Sequence, residues 1–263
     1  MSELFIETRG SGDTHIVLIH GWAMHGGVFA PLTDALARRA TVHVVDLPGH
    51  GHSRDSNLPL DVATCTHAIA EATPPAIWLG WSLGGLVALT GALEYPGHVR
   101  SLAMLCASPC FVRQDDWRFG MAPEVFSSFG ADLGGDYRGT LERFLALEAM
   151  GSEHAREEMR CLRADLCARG EPDPRVLREG LDVLDNTDLR ARVGDLVQPS
   201  AWIAGARDRL IPWRAMQWSA DACDGAFTRI DHAGHAPFIG FVEPLIAALE
   251  PLLDEPAATR KQA

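Results

Sequence analysis

Residues 76–89, AIWLGWSLGGLVAL, place a single serine at the junction of two kinds of element. The apolar run before Ser82 is typical of a buried strand, and the small residues after it favour a helix. Gly80-Trp81-Ser82-Leu83-Gly84 therefore fits the pattern G-x-S-x-G in the context that this pattern requires. Such a turn strains the backbone of its middle residue, exposes the hydroxyl and directs helix N–H groups at an oxyanion. Ser82 is a candidate nucleophile, and the alternative is a tight turn whose serine merely caps a helix.

Other strand-like runs end in residues that suit the remaining parts of a serine hydrolase. The run HIVLIHGW ends at Trp22, whose backbone N–H can form an oxyanion hole together with that of Leu83. Asp208 follows the run SAWIAG, and His235 follows AFTRI. The order Ser, Asp, His is that of the α/β-hydrolases, and all three residues lie at the carboxyl ends of predicted strands. We therefore predict Ser82, Asp208 and His235 as a catalytic triad.

Other residues compete for two of these roles. His232 is nearer to its strand than His235, but the Gly234 turn lets His235 swing over the sheet edge. Three aspartates in or after the helical insertion compete with Asp208, namely Asp182, Asp185 and Asp188. No cluster of carboxylate or cysteine ligands accompanies the sequence HGH at 50–52, so we interpret it as a glycine-rich loop and predict no metal site.

Strands alternate with helices through most of the chain, which predicts an α/β-hydrolase fold with a mostly parallel sheet flanked by helices. LFIET and HIVLIHG, joined by GSGDT, are expected to form a hairpin. Helical periodicity replaces the alternation between residues 111 and 190. We predict a core made of residues 1–110 and 191–263, with a helical cap, residues 111–190, inserted between two strands. The tail after Pro256 is expected to fray.

The composition is that of a folded protein: 263 residues, 47% hydrophobic and 22% charged. The net charge of −12 argues against binding to nucleic acid or to anionic membranes. The chain shows neither a long apolar run nor a signal peptide, so we expect a cytoplasmic protein with no membrane span. We also expect a monomer. The six cysteines form no C-x-x-C pair and are expected to be free, mostly buried thiols.

The motifs together resemble the α/β-hydrolase superfamily, in the order LIHGWAMHGGVF, DLPGHGHS, GWSLGG, GARDRLIP and HAGHAPF. Within it the chain resembles the family of pimeloyl-[acyl-carrier protein] methyl ester esterases of biotin synthesis (the BioH family), on HGW, WLGWSLGGLVA, ERFLAL, MGSEHAR and HAPF. The resemblance covers nearly the whole chain, including the cap, which varies more than the core among these hydrolases. It implies hydrolysis of the methyl ester of a pimeloyl chain carried on acyl-carrier protein, with release of methanol and without a cofactor.

The resemblance also implies a set of substrate contacts. Phe144 and the Trp22 side chain match positions that line the acyl pocket, although Phe144 would also suit plain packing within the cap. Glu148 stands where the family is expected to have a neutral amide, and a carboxylate there would disfavour a charged end of the substrate. The predicted substrate contacts are Trp22, Ser82, Leu83, Phe144 and Glu148.

Arginines of the cap suggest a docking face for the acidic carrier protein. Arg156, Arg160 and Arg163 recur at helical spacing and so lie on one stripe of a helix. Arg143, Arg156 and Arg160 match carrier-contact positions of the family, and Arg138 matches after a shift of one residue.

A solvated helix face is the alternative reading of this stripe, with Glu153 paired to Arg156 and Glu157 paired to Arg160. The superfamily motifs alone also leave two other functions open. One is a general short-chain carboxylesterase, thioesterase or perhydrolase, and the other is a binding protein that keeps the fold without turnover.

Overall fold

The computed structural model describes residues 4–254, and a seven-stranded sheet with the order β1-β3-β2-β4-β5-β6-β7 lies at its centre. The strands are β1 (Ile6–Arg9), β2 (His15–Ile19), β3 (Thr41–Val45), β4 (Ala76–Trp81), β5 (Val99–Leu105), β6 (Ser200–Gly205) and β7 (Ala226–Ile230). β1 runs antiparallel to β3, and the other neighbouring pairs are parallel. β4 and β6 are buried at every position, which explains their continuously apolar sequences.

Helices flank this sheet, as the alternating sequence pattern predicts. They are α1 (Ala30–Leu36), α2 (Val62–Ala72), α3 (Leu83–Glu94), α4 (Glu124–Asp132), α5 (Tyr137–Ala149), α6 (Ala155–Leu166), α7 (Pro174–Asn186), α8 (Trp213–Ala222) and α9 (Val242–Leu253). Short 3₁₀ turns occupy Gly26–Phe29, Gly51–Ser53 and Arg190–Asp195. The predicted fold class, a mostly parallel sheet flanked by helices, is confirmed.

The predicted hairpin of LFIET and HIVLIHG is wrong. β1 pairs with β3, whereas both edges of β2 are occupied by the parallel strands β3 and β4. The link between β1 and β2 instead crosses the chain before β3, where Gly10 and Gly12 lie against its backbone. A Cβ atom at Gly10 would lie 2.2 Å from the carbonyl oxygen of Ala40.

Four helices, α4 to α7, lie between β5 and β6, in the segment where the sequence predicts a cap. A β-bridge between Cys110 and Asp188 brings the two ends of this segment together. The division at residues 110/111 and 190/191 stays a prediction. None of the helices within residues 4–254 is both long and apolar enough to span a membrane. The tail after Pro256 lies outside the described residues.

Two groups of contacts fasten these helices to the sheet. After α6, Arg169 forms ion pairs with Asp46 and Glu7 at 3.2 and 3.0 Å. In the turn between α5 and α6, the backbone N–H of Glu153 donates to the carbonyl oxygen of His232 at 3.0 Å. The second contact reaches the loop that carries His235, so the α5–α6 turn (residues 150–154) adjoins the predicted catalytic centre.

Candidate active site

Ser82 has a backbone conformation that few residues other than glycine adopt. It follows β4 and precedes α3 with φ 54° and ψ −123°. The two flanking glycines are required by packing. A Cβ at Gly80 would lie 2.2 Å from the carbonyl oxygen of Gly84, and a Cβ at Gly84 would lie 2.3 Å from that of Ile19. The sharp turn predicted from G-x-S-x-G is therefore present, with the strain that it implies.

Asp208 and His235 form a buried pair at the carboxyl end of the sheet. The Nδ1 atom of His235 lies 2.8 Å from Oδ2 of Asp208. The other oxygen of Asp208 accepts from the backbone N–H groups of Leu210 and Ile211 at 2.8 and 3.0 Å. These two bonds fix the carboxylate, which in turn fixes the imidazole. Nε2 of His235 is buried and has no hydrogen-bond partner within residues 4–254, so it is an open proton acceptor.

Trp81 connects this pair to Ser82. Its indole N–H donates to the carbonyl oxygen of His235 at 2.7 Å, and the two rings lie 5.6 Å apart. Because Trp81 and Ser82 are consecutive, the histidine loop is fastened beside the strained serine. The structure thus joins Asp208 to His235 directly and ties the His235 loop to Trp81, the residue before Ser82.

The competing residues lie elsewhere. His232 is exposed and contacts Arg207 at 2.6 Å and Glu153 at 3.3 Å instead of Asp208. Asp188 pairs with Arg190 at 2.7 Å. Asp182 and Asp185 lie on α7, where none of the described hydrogen bonds joins their carboxylates to a histidine. The geometry therefore favours His235 and Asp208.

The predicted oxyanion hole lies where Ser82 meets the loop after β2. A Cβ at Gly21, next to Trp22, would lie only 3.1 Å from the Cβ of Ser82. The backbone N–H groups of Trp22 and Leu83 have no acceptor in the described part of the chain. Leu83 also opens α3, so the positive end of the helix dipole points toward the same place. Two free donors beside the serine suit a developing oxyanion.

Trp22 and Phe144 form an aromatic wall beside this site. Both side chains are buried, and their ring centres lie 4.6 Å apart at an interplanar angle of 65°. The indole N–H of Trp22 donates to the carbonyl oxygen of Leu177 at 2.8 Å, which fixes the ring against α7. Phe129 of α4 packs on the other side of Phe144 at 5.6 Å. The two residues predicted to line an acyl pocket therefore touch each other.

Glu148 lies one helical turn after Phe144 and is fully buried. Neither carboxyl oxygen has a hydrogen-bond partner in residues 4–254. Burial, with the nearby charges of Asp208 and Glu158, raises the pKa of Glu148 well above its usual range. This shift favours the neutral, protonated form of Glu148, which resembles the neutral amide expected at this position more than a carboxylate would.

Comparison with known proteins identifies the fold family. The α/β-hydrolase fold family matches residues 14–241. The pimeloyl-[acyl-carrier protein] methyl ester esterase of Stenotrophomonas maltophilia (strain R551-3) is 55% identical over 94% of this chain and 95% of its own length. The esterase of that name from Xanthomonas axonopodis pv. citri (strain 306) is 53% identical over 94% and 97%. The chain belongs to this family of α/β-hydrolases.

Solved structures agree with this fold. An esterase from Exiguobacterium antarcticum superposes with a TM-score of 0.85 at 22% identity, over 96% of each chain. The enol-lactonase from Burkholderia xenovorans LB400 gives 0.80 at 19% identity, over 94% of this chain and 96% of its own. At such identities the likeness concerns the fold alone.

The cap arginines of this α/β-hydrolase divide into two groups. Arg143 on α5 is paired with Asp132 and Asp136 at 2.9 and 3.2 Å, and Arg138 is paired with Glu171 at 2.6 Å. The positive charge of these two residues is therefore already matched by carboxylates.

Arg156 and Arg160 differ from them. Both are exposed on α6, and neither forms an ion pair with a described residue. The pairings expected for a solvated face, Glu153 with Arg156 and Glu157 with Arg160, are absent among residues 4–254. Glu153 instead faces His232. The third arginine of the stripe, Arg163, is bound to Glu142 of α5 at 2.5 Å. The free positive charge of the stripe is thus confined to Arg156 and Arg160.

Cys106 is the thiol nearest to the predicted triad in the described chain. Ligand atoms of Cys106, Asp208 and His235 lie within 4.8 Å of one another, the arrangement that a metal would need. Burial and the charge of Asp208 raise the pKa of the Cys106 thiol well above its usual range. A thiol that keeps its proton is a poor metal ligand, and the Asp208–His235 bond already uses the other two groups. All six cysteines are free, three of them buried.

Sequence reasoning missed two contributors to this site. Trp81 is one of the variable positions of G-x-S-x-G, and nothing in the motif indicates that its indole binds the histidine loop. Glu158 lies on the buried side of α6 with Leu162 and Leu166. A glutamate on an otherwise apolar stripe was a visible signal, because such a residue is buried only with a reason.

Proposed function

We propose that this protein hydrolyses the methyl ester of pimeloyl-[acyl-carrier protein], giving the free carboxylate and methanol, in biotin synthesis. The observation that carries the proposal is identity of 55% over 94% of the chain to an esterase of that name. An alignment of 248 residues necessarily includes the cap helices, which vary more than the core among these hydrolases. The buried Asp208–His235 pair beside the strained Ser82 supports the reaction class.

The chemistry follows from the geometry of the site. Ser82 Oγ attacks the carbonyl carbon of the methyl ester while Nε2 of His235 accepts its proton. Asp208 stabilises the imidazolium and holds the ring in the required tautomer. The N–H groups of Trp22 and Leu83 bind the oxyanion of the tetrahedral intermediate. Methanol then leaves with the proton from His235, and the pimeloyl chain remains on Ser82 as an ester.

A water molecule completes the cycle. His235 removes a proton from this water, which attacks the acyl-enzyme and forms a second tetrahedral intermediate at the same oxyanion hole. Collapse of the intermediate returns the proton to Ser82 Oγ and frees the carboxylate. In this proposal Trp22 and Phe144 pack along the methylene chain. Glu148 lies one helical turn after Phe144, and its raised pKa favours the form that adds no charge there.

The test compares two forms of one ester. Purified protein is given methyl pimeloyl-carrier protein and, separately, methyl pimeloyl-pantetheine, with mass spectrometry of the free acid as the readout. We expect kcat/KM to be at least about tenfold higher for the carrier-linked ester, a difference of roughly 1.4 kcal/mol. Equal values would indicate a general carboxylesterase. Failure of Ser82 to react with a fluorophosphonate would indicate a binding protein instead. The monomeric state and cytoplasmic location stay predictions.

A further inference from the structure

Glu158 is a fully buried carboxyl group to which the mechanism above assigns no role. Its Oε1 lies 2.5 Å from the hydroxyl of Ser152, and its Oε2 has no hydrogen-bond partner within residues 4–254. The same Ser152 hydroxyl accepts from the backbone N–H of His154 at 3.2 Å. Ser152 precedes His154, the N-cap of α6, and its hydroxyl holds Glu158 in place. Burying a carboxyl group with one oxygen unpaired costs free energy, which points to a function.

The Ser152–Glu158 pair lies directly against the loop that carries His235. A Cβ at Gly234 would lie 2.9 Å from the Cβ of Ser152 and 3.4 Å from Oε2 of Glu158. Gly234 is the residue before His235, so the pair forms the surface on which this peptide rests. The carbonyl oxygen of Glu148 also accepts from the backbone N–H of His235 at 3.4 Å. The cap thus adjoins Gly234 through a carboxyl group and bonds to the N–H of His235 through the main chain.

Several ionisable groups face Glu158 from neighbouring elements. They are Asp208 after β6, Glu148 on α5, Cys106 after β5 and Glu157 on α6 itself. Burial raises the pKa of Glu158 to about 7, the bond from Ser152 opposes this shift, and the charges of Asp208 and Glu157 add to it. Glu158 therefore gains its charge near neutral pH, against the peptide that carries His235.

We infer that Glu158, held by Ser152, is a positioning residue for His235. Its carboxyl group supports the peptide between Gly234 and His235, and its negative charge stabilises the imidazolium that forms when Ser82 attacks. This inference rests on the proposed role of His235 as the base. It does not depend on which ester is the substrate.

The first experiment removes the charge and keeps the shape. Glu158→Gln retains an oxygen that can accept from Ser152, and Glu157→Gln makes the same change at the exposed neighbouring position. The rate of fluorophosphonate labelling and kcat for a p-nitrophenyl ester are measured from about pH 5 to about pH 9. Without the negative charge the imidazolium is less stable. We therefore expect Glu158→Gln to move the midpoint of the acid limb down by roughly 0.5 pH unit or more. Glu157→Gln should move this midpoint much less, because Glu157 is exposed and has only the smallest of the effects on the pKa of Glu158.

The second experiment tests the contact itself. Ser152→Ala removes the hydroxyl that holds Glu158, so we expect kcat to fall about fivefold at constant KM, because the base is less well placed. If Ser152 acts through Glu158, the losses in Ser152→Ala and Glu158→Gln will not add in the double variant. This cycle also gives a result if the pH profile of Glu158→Gln is obscured by lower stability.

The outcomes separate this inference from the proposed function. Coincident pH profiles for Glu158→Gln and Glu157→Gln would overturn it, as would a kcat within about twofold of wild type for Ser152→Ala. Absence of labelling in the wild-type protein would instead refute the mechanism on which it rests. Failure of the carrier-linked ester with normal labelling would change the substrate and leave the role of Glu158 intact.

Discussion

At the scale of single residues, the site depends on a backbone that the rest of the molecule keeps strained. A positive φ at a serine costs on the order of 1–3 kcal/mol. The Ser82 N–H donates to the carbonyl oxygen of Leu105 at 3.1 Å, and close packing at Gly80 and Gly84 leaves the chain no room to relax. The sheet and α3 therefore hold the hydroxyl at the turn, next to the free N–H groups of the predicted oxyanion hole.

The first prediction concerns Ser82. Ser82→Ala should lower kcat for the carrier-linked ester by about 10⁴-fold or more and abolish fluorophosphonate labelling, since only binding and the oxyanion donors remain. Turnover and active-site labelling are the measurements. Ala adopts the same backbone conformation as Ser, so the midpoint of urea unfolding should be unchanged. Activity within tenfold of wild type would remove Ser82 from the mechanism.

The second prediction separates the two histidines of the loop. His235 is buried and bound to Asp208, whereas His232 is exposed and faces Glu153 and Arg207. His235→Ala should therefore be about as damaging to kcat as loss of the serine, and combining it with Ser82→Ala should add little. His232→Ala is the matched control and should keep kcat within about threefold of wild type. A larger loss in His232→Ala at equal stability would reverse the assignment.

At the scale of elements, α5 and α6 differ in whether the charges of their exposed arginines are already paired with carboxylates. The α5 arginines are balanced by carboxylates, but Arg156 and Arg160 on α6 have no ion pair among residues 4–254. An acidic partner gains most from charges that are not already paired, because it does not have to displace an existing partner. The docking face proposed for the carrier therefore centres on α6, with Arg138 and Arg143 contributing less.

The third prediction tests this ranking. Arg156→Glu with Arg160→Glu should raise KM for the carrier-linked ester by about fivefold or more, at roughly 0.5–1.5 kcal/mol for each lost contact. Turnover of a small free ester should not change, because the catalytic residues are untouched. Added salt should reduce the difference between wild type and variant, since exposed charge pairs are screened over about 10 Å at 0.1 M salt.

A matched control uses arginines away from α6. Arg100 and Arg178 are also exposed and form no ion pair with a described residue. Changing both to Glu alters the net charge equally but should leave KM for the carrier-linked ester within about twofold of wild type. Equal effects of the two double variants would mean that the carrier senses only the total charge of the molecule.

At the scale of the whole molecule, the burial of Glu148 makes the free energy of unfolding depend on pH. The pKa of Glu148 is well above its usual range, so the folded protein keeps a proton that the unfolded chain releases above about pH 4.5. The unfolded state binds fewer protons in this window. The free energy of unfolding therefore falls as pH rises from about 4.5 toward the pKa of the folded protein.

The fourth prediction isolates Glu148. Glu148→Gln cannot titrate, so its stability relative to wild type should improve with rising pH, by up to about 1.4 kcal/mol per pH unit. Urea unfolding at about pH 5 and about pH 8 measures this difference. Glu157→Gln, an exposed change on the cap, should show no such trend. A constant difference between Glu148→Gln and wild type would mean that Glu148 is ionised in the folded protein.

The sequence by itself determined the features that depend on local pattern. An apolar run followed by G-x-S-x-G specifies a strand, a turn and a helix within fourteen residues, 76–89. The order of Ser82, Asp208 and His235 along strand ends predicts that they lie at one edge of the sheet, because carboxyl ends of parallel strands share that edge, and Asp208 and His235 are in direct contact there. The alternation of strands and helices likewise predicted the sheet, with its helical insertion.

Only the tertiary structure decided the matters that depend on residues far apart in the chain. β1 pairs with β3 because β3 and β4 already occupy both edges of β2, and local turn signals cannot show which edges are occupied. The pKa values of Glu148 and Glu158 are raised by burial and by the nearby charge of Asp208. Burial depends on how the whole chain packs. The free charge of Arg156 and Arg160 likewise depends on which carboxylates the fold brings near. Sequence patterns report short-range geometry, whereas solvation and charge pairing depend on every group that packs around a residue.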